Sequence, residues 1–227
     1  TGLYADSSTT VNVSGGTITG NGVSSESSRA YGLSANGSST VNVSGGTITG
    51  SGDNTGLNAA GSSQVTVSGG NISSNNTGLN AGNSAGVTVR GGTITGTYGR
   101  GLFAYGNSNV SVSNGNIIGY NGLYAVGSSR VNISNGNITG DGRYGYGLYA
   151  GDNSYVNISN GTISASGTSG IGLNALGSSR VTVSNGNITA NGTNGTGLSA
   201  NGSSTVDFNN GTTVSYTHLT LPTKRIV

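Results

Sequence analysis

Acid–base or nucleophilic chemistry would have to come from very few side chains in this sequence. The 227 residues hold six carboxylates (Asp6, Glu26, Asp53, Asp141, Asp152 and Asp207), one histidine (His218), eight Lys or Arg and no cysteine. Glycoside hydrolysis asks for two carboxylates at a fixed separation, and lyase chemistry asks for a basic residue beside acidic metal ligands. Here the acids scatter. Asp6 and Asp152 fall at corners of a repeat, five or more units apart, Asp53 and Asp141 fall in loops that are also far apart, and Asp207 lies mid-strand facing outward. Glu26 and Asp53, in adjacent insertion loops, are the one pair that could approach. His218 lies in a non-repeating tail, so the body has no histidine for proton transfer. Without cysteine there are no disulfides and no thiolate metal sites. The Gly-Gly-x-Gly-x-Asp pattern of calcium-binding solenoids is absent. The expectation is a protein that is not an enzyme and carries no cofactor and no metal.

Recognition through aromatic faces and cations is better supplied. Nine of the thirteen aromatic residues fall between Tyr98 and Tyr155. Phe103, Tyr124 and Tyr149 occupy the same place in three successive repeats, and stacked in register they make an aromatic column. Arg130, Tyr155 and Arg180 do the same at a second place, as a cation–π stack. One reading is a binding platform for sugar rings or a partner protein. The other is that like residues stack because a repeat copies them.

These columns require elements that place equivalent residues one above the other, and the sequence repeats accordingly. Gly-Leu-x-Ala starts at Gly2, Gly32, Gly56, Gly78, Gly101, Gly122, Gly147, Gly172 and Gly197. Val-x-Val or a close variant begins eight residues after each Leu, from Val11 to Val206, and an Ile follows seven residues later, from Ile18 to Ile188. In the ninth repeat Thr213 takes the place of that Ile. Alternation of period two with β-branched residues is the pattern of a half-buried strand. Three short strands per repeat, each with one inward face, predict an all-β parallel β-solenoid of about nine coils, with a period of about 21–30 residues. Parallel crossovers favour the right-handed form. Strands about 4.8 Å apart would make a rod of roughly 43 Å. A single coil cannot bury its own Leu, Ala, Val and Ile, but a stack can.

The corners fit the same scheme. Gly15-Gly16, Gly45-Gly46 and Gly69-Gly70, and later Asn135-Gly136, Asn160-Gly161 and Asn185-Gly186, stand between the second and third strands, and both residue types tolerate positive φ. The Ala two residues after each Leu recurs in all nine repeats, from Ala5 to Ala200, which predicts a core corner with room for a methyl only. Leu-to-Ile spacing is fixed at fifteen, whereas Ile-to-Leu spacing varies from six to fifteen. Insertions therefore gather at one corner, the longest running from Asn21 to Ala30 with Glu26 and Arg29. A polar column, from Asn12 and Asn42 to Asn157 and Thr182, should hold strand register through side-chain hydrogen bonds. Asn-x-Ser/Thr sequons arise freely in such a composition. The Thr-Ile-Thr runs are interrupted by Asn137 and Asn187, which argues against a flat ice-binding array.

Residues 1–214 thus read as one solenoid, and 215–227 as a tail outside the repeat. Ser215 to Val227 resembles translated sequencing-adapter read-through. Without Lys224 and Arg225 the remaining six Arg balance six acids, so the body gives no electrostatic case for nucleic acid or an anionic membrane. No apolar run approaches a membrane span.

The run Gly2-Leu3-Tyr4-Ala5, followed by Val11-Asn12-Val13-Ser14-Gly15-Gly16-Thr17-Ile18-Thr19-Gly20, resembles the passenger repeats of autotransporter adhesins, which are pertactin-like right-handed β-helices. The resemblance covers Gly2 to about Thr213. It implies export, display on a bacterial cell surface and anchoring by an outer-membrane barrel not present in these residues. It further implies adhesion to a host surface, a matrix, a glycan or a sister-cell protein. A non-catalytic stalk of a larger secreted enzyme or toxin and a carbohydrate-binding solenoid are the alternatives. Open strand edges at either end could pair end to end or side by side with another copy.

Overall fold

The computed structural model describes residues 1–22 and 30–215, and every regular element among them is a β-strand. The Glu26 and Arg29 of the longest insertion, and residues 216–227 of the tail, lie outside the described residues. Ser215 ends the last strand, Thr212–Ser215.

All strand pairs are parallel, and each links a repeat to the next. The second strands of the repeats form one sheet of nine, in chain order. Nine rungs are therefore stacked through eight interfaces, in agreement with the count of Gly-Leu-x-Ala motifs. Register follows the motif: Leu33 pairs with Leu57 and Ala35 with Ala59, while Val131 pairs with Val156 and Ile138 with Ile163.

The first and third strands join in a single sheet of sixteen. The link is made by two long strands, Thr93–Ala104 and Asn116–Ala125, each of which serves as the third strand of one rung and the first of the next. Three separate strands per rung therefore hold for most of the rod, while in the middle two corners are bridged by continuous strand. Elsewhere along the rod the same corner interrupts the strands, and its longer versions carry the insertions.

The core is a set of aliphatic ladders. Leu33, Leu57, Leu79, Leu102, Leu123, Leu148 and Leu173 are all 0% exposed, and Ala35 through Ala175 are as well hidden. Each such leucine contributes about 1.5–3 kcal/mol. The outermost rungs have a neighbour on one side only, so Leu3, Val11, Ile18, Leu198 and Val206 are only half-buried.

Two small-residue ladders set how closely the coil can close. A Cβ on Gly147 would lie 2.6 Å from the Gly172 carbonyl oxygen and 2.8 Å from Ile163 Cγ2, and its equivalents in the inner rungs, from Gly32 to Gly172, meet the same two groups. This glycine is required by close approach. A serine ladder (Ser39, Ser63, Ser108, Ser129, Ser154 and Ser179) is buried, and its hydroxyls lack partners. Ala85 takes the same place with only a methyl.

Candidate functional site

The glycine before each Leu has a second consequence. The residue ahead of it, two before the Leu, emerges beside the outward residue of Gly-Leu-x-Ala. Both columns line the outer face of the first strands. The outward column pairs in register as Ser34, Asn58, Asn80, Phe103, Tyr124, Tyr149 and Asn174. Three of its polar members are hydrogen-bonded in series, with Asn80 Nδ2 donating to Asn58 Oδ1 at 2.7 Å and Asn58 Nδ2 to Ser34 Oγ at 3.3 Å.

Phe103, Tyr124 and Tyr149 are brought together, and all three are half-buried. Tyr124 and Tyr149 stack at 4.2 Å between ring centroids and 6° between planes. Phe103 meets Tyr124 edge-on at 5.8 Å and 69°. Such contacts add about 0.5–1.5 kcal/mol each beyond area burial. Burial, followed by a hydrogen bond to Tyr124, pushes the Tyr149 phenol up to about 12.

Three members of this face escaped sequence reasoning. The Arg100 guanidinium carbon lies 4.4 Å from the Phe103 ring centroid and 4.5 Å from that of Tyr124. Tyr105 stacks on Phe103 at 5.1 Å. Tyr146 reaches Tyr149 at 5.3 Å. The signal for Arg100 and Tyr146 was available: both stand two residues before the repeat's Leu. Tyr105 depends on Gly82 one rung below, where a Cβ would sit 2.1 Å from the tyrosine ring.

Beside these groups lies a cleft of about 310 Å³, lined by Arg100, Phe103 and Tyr105, with Asn54, Asn76 and Asn80 among its polar walls. That size is at the lower end for small-ligand sites, roughly 300–1,000 Å³. Its walls are fixed by backbone capture. Asn54 Oδ1 accepts from Ala30 N at 2.9 Å, and Asn76 N donates to Ser74 Oγ at 2.9 Å. Asp53 stands exposed on the rim.

The second predicted cluster lies on the nine-stranded sheet. Arg130, Tyr155 and Arg180 are neighbours in register. Arg130 lies 5.6 Å from the Tyr155 ring centroid. The expected three-member stack is only half formed among the described residues, since Arg180 is beside Tyr155 but makes no cation–π contact of its own. The three line a shallower cleft of about 260 Å³.

Two of the carboxylates serve the corners. Asp6 Oδ1 accepts from Ser7 N at 2.7 Å, and Asp152 Oδ2 accepts from Gly127 N at 3.0 Å. Among the described residues no group of three or more His, Cys, Asp or Glu is placed to hold a metal ion. Of the polar columns, Asn42 Nδ2 donates to Asn12 Oδ1 at 2.9 Å and Asn137 Nδ2 to Asn116 Oδ1 at 3.2 Å. No helix among the described residues is long and apolar enough to cross a membrane.

Comparison with known proteins gives one match. The family model described as right handed beta helix region fits residues 1–138 and again 55–213, so nearly the whole solenoid is covered. No curated protein and no solved structure matches the chain.

Proposed function

Because the chain belongs to the right-handed β-helix family, we propose that it is a non-catalytic adhesive segment of a secreted bacterial surface protein, which holds its target along the face of the first strands. The family includes both enzymes and non-enzymes, so the case has to come from the site. The observation that carries it is the unbroken cluster of Tyr105, Phe103, Arg100, Tyr124, Tyr149 and Tyr146 on one side of the rod. Aromatic rings and arginine supply much of the energy at recognition surfaces. Their concentration in three adjacent rungs supports a contact patch over a merely repeated decoration.

The acids support the same reading. Asp6 and Asp152 are engaged with corner backbone, Asp207 is isolated on the second-strand sheet, and no described pair frames the aromatic face. The rod itself acts as a spacer, carrying the patch away from the surface on which it is displayed. The target is a host surface, a matrix, a glycan or a sister-cell protein. Display outside the cell, held by an outer-membrane barrel, follows from the passenger resemblance. The polar cleft beside the rings favours the carbohydrate-binding variant of this reading over a bare enzyme stalk.

Beads coated with the protein test the proposal. They should be retained on cultured cells or on immobilised matrix and glycan surfaces, with no release of reducing sugar ends from soluble polysaccharides. Failure to be retained on every surface, or steady release of reducing ends, would overturn it.

A further inference from the structure

The geometry points to Arg100 as an oxyanion-binding residue, in a cleft that takes a sugar ring bearing one carboxylate or sulfate group. The inference rests on the reading that the first-strand face is the contact face.

Arg100 lies over both Phe103 and Tyr124. The rings stabilise its charge through their faces but offer no lone pair. Its Nε is buried and has no hydrogen-bond partner. Nε is closed off from solvent and out of a ligand's reach, but the guanidinium ends in two further nitrogens, a planar pair that a carboxylate or sulfate can fill bidentately. Arg100 lines the cleft, and its terminal nitrogens make no hydrogen bond among the described residues, so they are the donors it offers there.

The rest of the lining fits a sugar ring. Phe103 and Tyr105, stacked on one another, give the cleft an apolar wall of ring edges against which the C–H groups of a pyranose can pack. Asn54, Asn76 and Asn80 supply amide groups for its hydroxyls. Gly82 is a positioning residue, because any side chain there would displace the Tyr105 ring. Asp53 on the rim places one negative charge next to the site. That charge disfavours polyanions such as nucleic acid, and it limits the preferred ligand to one oxyanion.

The test uses the full chain and three soluble probes that share a core: lactose, sialyllactose and sulfated lactose. Calorimetry or ligand-observed NMR should find at least one charged probe bound roughly tenfold tighter than lactose, which is about 1.4 kcal/mol. The probe that binds distinguishes carboxylate from sulfate. Arg100→Gln should remove the preference, and high salt should weaken it. Asp53→Asn alters an exposed rim residue without touching the core, and it should tighten the charged probe about threefold by lifting repulsion. Equal affinity for lactose, no binding of any probe, or a preference retained in Arg100→Gln would overturn the inference. So would an Asp53→Asn variant with unchanged affinity. Should all three probes fail while coated beads still attach, the oxyanion site falls and the adhesive reading stands.

Discussion

Tyr149 shows at the scale of one residue how packing and chemistry meet on this face. Its ring is stacked on Tyr124, and burial, more than any neighbouring group, pushes its phenol up to about 12. A free tyrosine titrates near 10. The folded protein therefore holds this proton more tightly than the unfolded chain does. The associated stabilisation is present in full below about pH 10 and is lost as pH rises towards about 12. A spectrophotometric titration should resolve one late-ionising tyrosine, and Tyr149→Phe should remove that late step. A variant with the same alkaline profile as the parent would contradict the assignment. Phe103, Tyr124 and Tyr149 were legible in the sequence because they sit at a fixed offset from a repeating Leu. Arg100 was not, because it stands in the segment of variable length, where no offset from the preceding Ile is constant. Its place is constant only when counted backwards from Leu102, across a glycine that upsets strict alternation.

Corners decide the shape of the elements. The sequence suggested one kind of Gly- or Asn-containing corner after the second strand, whereas the backbone has two. In the early rungs the second glycine of the pair is left-handed, with φ of 87° at Gly16, 90° at Gly46 and 88° at Gly70. From Asn114 onwards the asparagine takes that role, with φ of 53° at Asn114 and 52° at Asn135 and Asn160. In these later corners the asparagine N–H donates to the next rung, as from Asn160 to the Ser184 carbonyl at 3.0 Å. A β-branched side chain cannot share this conformation cheaply. Asn160→Val should lower the unfolding free energy by about 1–2 kcal/mol, while Asn160→Gly should change it little. Chemical denaturation reads both, and equal stability of the Val variant and the parent would contradict the left-handed corner. Insertion sites were legible from the variable Ile-to-Leu spacing, but the continuity of strands through that corner was not. Spacings of eight (Ile94 to Leu102) and six (Ile117 to Leu123) give unbroken strands, yet seven (Ile72 to Leu79) gives a break. There the Ser74 hydroxyl captures Asn76 N, a local competitor that spacing alone does not reveal.

The whole molecule is a rod of identical interfaces with unlike faces. Stacking of one rung on the next supplies the core, and no rung could be stable alone. That regularity is why the fold was readable from a single sequence: each Leu, Ala, Val and Ile reports the same environment up to nine times. Function is written in departures from the repeat, which occur once and so carry no internal check. The decisive measurement compares two faces of the same rod in bead attachment. One variant removes Phe103, Tyr124 and Tyr149 as alanines from the first-strand face, and the other removes Arg130, Tyr155 and Arg180 from the nine-stranded sheet. Circular dichroism should first show both to be folded. The account predicts that attachment falls by roughly tenfold or more in the first variant, as expected when clustered aromatic anchors are lost, and changes little in the second. Attachment that survives the first variant, or is lost only in the second, would contradict it.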